Sequence, residues 1–348
     1  MKKYVSIDVH AATCVIRVEN EKRRRLIEQI VETRAEELIG FFRKLGKETT
    51  VVFEEGCQSK WLYDLLQPYT SQVMVCHTRG QKVSGQKNDK ADTVKLLDSL
   101  RAGTLQSVYQ GQATARGLKE LAASYRMIVD DCRRVMNRMK AAFRSRGIRC
   151  AGKKIYGQKE RSEWLERLDL EELRLRVEQL YGQLDLLMKD RKEARTALIR
   201  RARQEEAYRR LRKVPGLGAI RVALILAYVM TPHRFRTKRQ FWAYCGLAVV
   251  TWSSGEYVMR GGQVVRNKKR VLTRGLNTNR HPVLKDVFKG AAQLAIRREM
   301  KEWYDAACER GLTANHATLD VARKIAAMTL AIWKTRSAFD IQRVKPAA

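Results

Sequence analysis

The chain has 348 residues and carries 70 Lys+Arg against 37 Asp+Glu, a net charge of +33 at pH 7. That length supports two or three domains with full hydrophobic cores, and so large a positive excess goes beyond what solubility needs and points to a polyanionic partner. No run of 18 uncharged apolar residues exists, which argues against a membrane-spanning helix, and the first eight residues hold no apolar signal core.

In chain order, residues 3–9, 13–19 and 25–31 are short β-branched runs that predict a three-strand meander. A helix is predicted over 34–46, with Leu38, Ile39, Phe41, Phe42 and Leu45 on its apolar face. A strand over 49–54, a helix marked by Trp61, Leu62, Leu65 and Leu66, a strand over 72–76 and a helix over 89–102 follow. This order fits a mixed sheet flanked by helices, an α/β domain of RNase H-like (RuvC-like) class over residues 1–110. Residues 111–210 read as a helical coiled-coil region. Leu118, Leu121, Tyr125, Ile128, Cys132, Val135, Met139 and Phe143 recur at helical steps, and Leu173, Val177, Leu180, Leu184 and Leu187 step 4-3-4-3. Either an antiparallel hairpin or a dimerising coil satisfies that pattern. Residues 211–348 read as mostly α-helical.

Charge is unevenly spread along these segments, at +4, +11 and +18 in turn. The acids therefore gather in the first segment. Asp8 ends the apolar run Tyr4-Val5-Ser6-Ile7, and Glu54, or its neighbour Glu55, ends Thr50-Val51-Val52-Phe53. Asp89 and Asp92, three apart, share one helix face. Either aspartate alone would be read as complementing a helix N-terminus. Four carboxylates converging from two strand ends and a helix repel one another unless divalent cations lie between them, and an all-oxygen donor set suits Mg²⁺ or Mn²⁺. Lys87 and Lys90 flank the set and are placed to touch phosphate or to sit solvated. The seven cysteines form no CxxC pair or zinc-finger spacing, as expected of reduced thiols in a cytoplasmic, nucleoid-associated protein.

The third segment opens on Lys213-Val214-Pro215-Gly216-Leu217-Gly218, which fits a helix-hairpin-helix turn whose Gly216 and Gly218 let backbone N–H groups approach phosphate, or a plain interhelical turn. Arg234, Arg236, Lys238 and Arg239 are interleaved with Phe235, Phe241 and Trp242, a pattern suited to clamping a nucleic-acid backbone. Ser254, beside Ser253 and before Gly255, precedes a basic run that includes Arg260, Arg266, Lys268, Lys269, Arg270 and Arg274. A serine before glycine is ordinarily a turn residue, so composition alone does not make Ser254 catalytic.

Taken together, Ile7-Asp8, Glu54, Lys87-x-Asp89-x-x-Asp92 with Leu96-Leu97, Leu100-Arg101-x-Gly103 and Val108-Tyr109, then Val214-Pro215-Gly216-Leu217-Gly218, Arg234-Phe235, Gly246-Leu247 and Ser254-Gly255, resemble the DEDD transposases of the insertion-sequence-110 family, the bridge-RNA-guided recombinases. The resemblance spans almost the whole chain. It implies a RuvC-like domain, a coiled coil and a C-terminal transposase domain. It further implies a Mg²⁺-binding tetrad of Asp8, Glu54, Asp89 and Asp92, and a Ser254 nucleophile that forms a covalent phosphoserine link to DNA. The implied partners are double-stranded donor and target DNA, a structured guide RNA, and further copies of the chain in a dimer or tetramer whose subunits share the site. A junction endonuclease that uses water in place of Ser254 is the alternative.

Overall fold

The computed structural model describes residues 2–77, 89–111, 116–252, 257–266 and 272–340. They form two compact units, Met1–Gly111 and Gln112–Ala348.

In the first unit, β1 (Lys3–Val9), β2 (Thr13–Asn20) and β3 (Arg25–Glu32) are followed by α1 (Ala35–Leu45), β4 (Thr49–Glu54), α2 (Ser59–Leu66), β5 (Gln72–His77), α3 (Asp89–Arg101) and a two-residue strand, β6 (Gln106–Ser107). The six strands make one sheet in the order β3-β2-β1-β4-β5-β6. The β1–β4 and β4–β5 pairings are parallel and the others antiparallel. A meander leading into parallel crossovers is compatible with the expected RNase H-like class.

Strand alternation sorts the side chains onto two faces. Val5, Ile7, Val51, Phe53 and Val75 join Cys14, Ile16 and Val18 in a core closed by Leu38, Phe42 and Leu45 of α1 and Leu62 and Leu66 of α2. On the other face, Val52, Cys76, Tyr4 and Met74 pack beneath Leu96, Leu97 and Leu100 of α3. Ion pairs hold α3 at both ends. Arg101 Nη2 donates to Glu19 at 3.3 Å and to the Asn20 carbonyl at 2.8 Å, and the guanidinium lies 4.5 Å from the centre of the Tyr4 ring. At the other end Lys90 Nζ is 3.3 Å from Glu28 and, by bonding to it, holds the Glu28 carboxyl below its ordinary range. Arg17 ties the two ends together, at 2.8 Å from Glu19 and 2.9 Å from Glu28.

The second unit contains α4 (Arg116–Arg144), α5 (Arg161–Glu166), α6 (Glu171–Ala202), α7 (Ala207–Leu211), α8 (Ala219–Val229), α9 (Lys238–Tyr244), β7 (Val249–Trp252), β8 (Tyr257–Arg260), β9 (Gln263–Arg266), β10 (Leu272–Leu276), α10 (Pro282–Ala295), α11 (Lys301–Glu309) and α12 (Ala314–Thr335). Helix α8 is buried from Val222 to Val229 and is apolar all round, as a central helix must be. The helices α4, α6, α7 and α10 surround it.

Three expectations change here. The 4-3-4-3 seam is spent inside the chain: Val177, Leu180 and Leu184 of α6 are buried against Cys132, Val135, Met139 and Phe143 of α4. The central region is thus a helical hairpin that uses its own seam, and a dimerising coil on that seam has no free surface. The expected continuous run over 163–210 is three helices, α5, α6 and α7. The third segment, expected to be mostly α-helical, is so but also carries two small antiparallel ribbons that were not anticipated, β7–β10 and β8–β9. Among the described residues, no helix is long and apolar enough to cross a membrane.

The turn between α7 and α8 shows how closely this unit is packed. Gly216 has φ +71°, and a Cβ there would overlap the Ala291 carbonyl of α10. Gly218, the N-cap of α8, has φ −72°, and a Cβ there would meet nothing nearer than Arg212 at 3.8 Å. We therefore expect Gly216→Ala to lower the stability measured by urea denaturation by roughly 2 kcal/mol or more, combining left-handed strain with overpacking. Gly218→Ala should stay within about 1 kcal/mol of the parent.

Candidate active site

Strand register places the first two acids. Ile7 of β1 lies beside Phe53 of the parallel β4, so the next step brings Asp8 beside Glu54 at a spacing of roughly 4.8 Å. Two residues earlier on each strand stand Ser6 and Val52, and Val52 belongs to the face packed under α3. Asp8 and Glu54 therefore share the α3 face. Glu55 alternates away from it: its N–H donates to the Cys76 carbonyl at 2.8 Å, and its carboxylate lies 4.0 Å from His77 Nδ1.

Their surroundings are partly wet. Asp8 is half-buried and Glu54 exposed. Asp8 Oδ2 lies 3.3 Å from His10 Nε2, a neighbour the sequence signalled only by its place two residues on. Glu54 is registered opposite Cys76 on β5. Burial pushes the Cys76 thiol up to about 11, and the nearby charge of Glu54 adds to the shift. Neutral at ordinary pH, Cys76 contributes packing and not a fifth charge.

The other two acids are on α3. Asp89 is its first residue, and Asp92 follows in the same turn. Asp92 stands one turn before Leu96, which is buried against Val52 and Cys76, so Asp92 lies along the edge of the helix that faces the sheet. It pairs with Lys95 at 3.5 Å. Among the described residues no three acidic, imidazole or thiol groups form a cluster able to hold an ion. The structure pairs Asp8 with Glu54 and sets Asp92 on the helix that crosses their face. Carboxylate oxygens supplied by a sheet and a helix are a donor set that fits Mg²⁺ or Mn²⁺.

Ser254 and its neighbour Ser253 lie outside the described residues, as do Lys87, Lys268, Lys269 and Arg270. The strand that leads to Ser254 is described. β7 pairs with β10, Trp252 opposite Leu272 and Thr251 opposite Thr273. The base of this ribbon is tied to the end of α9 by Asn277, whose Nδ2 donates to the Ala243 carbonyl at 3.1 Å and whose N–H donates to the Ala248 carbonyl at 2.9 Å. The His281 N–H donates to the Tyr244 carbonyl at 2.8 Å. Gly246, at φ +69°, leaves room for Arg280 to pass, since a Cβ there would overlap the arginine Cδ. This anchoring was invisible in the sequence, because it joins residues 29 to 37 positions apart.

The proposed nucleic-acid contacts divide. The side chain of Arg234 covers the Phe235 and Tyr244 rings, at 5.2 and 4.7 Å from their centres. Arg236, Lys238, Arg239 and Arg260 are exposed. Gly216 faces Ala291, so the tightness of its turn already serves packing within the unit.

Residues 5–146 match the family model for the IS110-type DEDD transposase, and residues 208–279 match the model described as transposase IS116/IS110/IS902 family. The first match contains Asp8, Glu54, Asp89 and Asp92, and the second contains Ser254. No curated protein matches the chain.

His281 gives the anchoring below Ser254 a pH dependence. Its ring lies against Tyr228 at 4.3 Å, and burial lowers its pKa to about 4, with help from the charges of Lys119 and Arg234. The unfolded chain, with an ordinary imidazole near 6.5, then binds more protons than the folded one between those values. The stabilisation is complete above about pH 6.5 and is lost as pH falls toward about 4. His281→Phe should flatten the fall in urea midpoint across that window, by an amount on the order of 2 kcal/mol after allowing for partial solvation.

Proposed function

The chain belongs to the IS110 family of transposases, enzymes that cut and rejoin DNA, and from that premise we propose that it is an RNA-guided recombinase acting through a Ser254 nucleophile and a carboxylate tetrad. The observation that carries the reading is the register that sets Asp8 beside Glu54 on the face crossed by the helix of Asp89 and Asp92.

In this mechanism Asp8, Glu54, Asp89 and Asp92 would hold divalent ions, Mg²⁺ or Mn²⁺. When bound, the ions supply Lewis-acid polarisation of the scissile phosphate and ease deprotonation of a hydroxyl. The protein's own part is positional. The sheet fixes Asp8 and Glu54, and the clamped α3, which bears Asp89 and Asp92, crosses the same face. The β7–β10 ribbon is tied at its base by Asn277, and its strand β7 ends two residues before Ser254. Ser254 Oγ attacks the phosphorus, an Oγ–P bond forms, and the P–O bond to the departing sugar breaks as that oxygen takes up a proton. The reverse reaction with a different sugar hydroxyl rejoins the strand and frees the serine. Because one phosphoester replaces another, bond energy is kept and no external energy source is needed.

The resemblance supports the guide: a structured RNA pairs with donor and target duplexes and selects both. Base choice is then delegated to pairing, and the basic surface of the protein needs only to hold backbones. A dimer or tetramer is part of the proposal, as is an ion-binding role for Glu54 in place of Glu55.

With purified protein, its element-derived RNA, duplex DNA and Mg²⁺, covalent protein–DNA adducts should form and should vanish in Ser254→Ala while DNA binding survives. Asp8→Asn and Asp92→Asn should each cut cleavage by a factor on the order of 10³ or more. Adducts that persist in Ser254→Ala but vanish in Ser253→Ala would move the nucleophile by one position. Cleavage by the parent protein without any adduct would replace the reading by hydrolysis with water.

A further inference from the structure

The second unit holds a cleft of about 620 Å³ between α9, α11 and α12 that the proposed chemistry does not use. Its walls are Trp242 of α9 and Trp303 of α11, and Ala327, Met328 and Ala331 of α12 line it between them. Around these apolar groups stand five cations, Arg236, Lys238, Arg323, Lys324 and Lys334, against one carboxylate, Asp320.

Each ring is fixed and has a cation beside it. Trp303 Nε1 donates to Asp320 Oδ2 at 2.9 Å, and Lys324 Nζ lies 4.3 Å from the Trp303 ring centre. Trp242 Nε1 donates to the Arg323 carbonyl at 3.0 Å, and Lys238 Nζ lies 5.7 Å from the Trp242 ring centre. Arg323 is itself held, its Nε donating to the Leu247 carbonyl at 2.7 Å, and Lys334 Nζ donates to the Phe235 carbonyl. Asp320 thus serves to orient Trp303 and leaves the cleft strongly positive.

The geometry points to this cleft as a binding site for an unpaired nucleotide, its base packed against the tryptophans and its phosphate held by Lys238 and Lys324. Three observations support that occupant. The volume suits one nucleotide. A purely apolar partner would leave the cations desolvated and uncompensated, whereas a phosphodiester brings an anion to pair with the nearest of them. Recessed indole rings stack a base only when it has left its own helix, so paired strands do not fit. The assignment rests on the DNA-processing reading for its choice of polymer, but on neither Ser254 nor the tetrad. An unpaired guide-RNA base and a displaced DNA base share this chemistry.

The test uses the full-length protein. Short oligouridylate, oligodeoxythymidylate and a duplex of matched length are titrated while tryptophan fluorescence is read. Iodouracil-substituted strands are photocrosslinked and the crosslinked residues mapped. Single strands should quench, the duplex should quench far less, and crosslinks should fall on Trp303 or Trp242. Trp303→Ala should weaken single-strand binding roughly 5- to 150-fold, the range set by one base stack. Lys238→Gln/Lys324→Gln should weaken binding and reduce the salt slope by roughly 1.4, or 0.7 per phosphate contact. Trp303→Phe should keep most of the affinity and so separates stacking from folding, should the alanine variant not fold. Preference for the ribose or the deoxyribose strand identifies the source, and either one upholds the site.

Crosslinks confined to other residues, or unchanged affinity in the lysine pair and in Trp303→Phe and Trp303→Ala, would overturn it. So would equal loss of duplex and single-strand binding in these variants. Serine adducts on a duplex substrate are scored in parallel, so a negative result here leaves the proposed chemistry standing.

Discussion

The hold of α3 on the sheet is the constraint from which the candidate tetrad follows. A helix that begins with Asp89 and Asp92 would be driven from the strand ends bearing Asp8 and Glu54, because nearby like charges repel by about 1 to 4 kcal/mol per pair near a protein surface. Three features oppose that. Leu96, Leu97 and Leu100 pack the helix onto Val52, Cys76 and Met74. Arg101 locks the carboxy-terminal end to Glu19, the Asn20 carbonyl and Tyr4, and Lys90 reaches Glu28 at the amino-terminal end. Glu19 is almost fully buried, so its pairs with Arg17 and Arg101 are screened far less than surface pairs. The acids of β2 and β3 thereby anchor the helix that carries Asp92 across the face of Asp8 and Glu54.

A comparable economy operates in the second unit. The segments around Gly246 and Arg280 are short and unremarkable by themselves, yet they meet: the glycine opens the space and the arginine fills it. Asn277 then ties the α9 end to the β7–β10 ribbon. Residues that read as a functional signature thus act in part as the fixture for that ribbon. Gly216 is similar, since the tightness of its turn is explained by contact with Ala291. Under the proposed reading, a nucleophile borne next to such a base would lose little freedom on meeting its substrate, which is where positioning lowers a barrier.

Much of the first unit could be read from sequence because its signals are local. Alternation located β1 to β5, and three- and four-residue spacing located α1 and α3, each to within about a residue or two of the observed ends. Asp8 and Glu54 stood out because each ends an apolar run. Elsewhere the signals were nonlocal or too short. Heptad spacing cannot say whether a seam is filled by a second chain or by α4, and here it is α4. The break between α5 and α6 carries no proline, and it falls where Leu168 turns into the core. Strands β7 to β10 are four or five residues long, below the length at which alternation shows. Trp303 and Trp242 are some sixty positions apart, so their shared cleft exists only in the folded chain.

Charge segregation links the two chemistries. A site that collects divalent cations must keep ammonium and guanidinium groups from occupying it, since these compete for the same oxygens. The +4 balance of residues 1–110 permits that only because many of its cations are already engaged, Arg17, Arg101 and Lys90 among them. Residues 211–348, at +18, carry the opposite duty. Under the proposed reading, exposed lysines and arginines there would hold polyanionic strands by neutralising phosphates, an attraction that weakens with salt and ignores sequence. The excess positive charge thus lies in the segments after residue 110, while the first segment stays nearly balanced, which under the proposed reading limits competition by lysine and arginine for the candidate carboxylates.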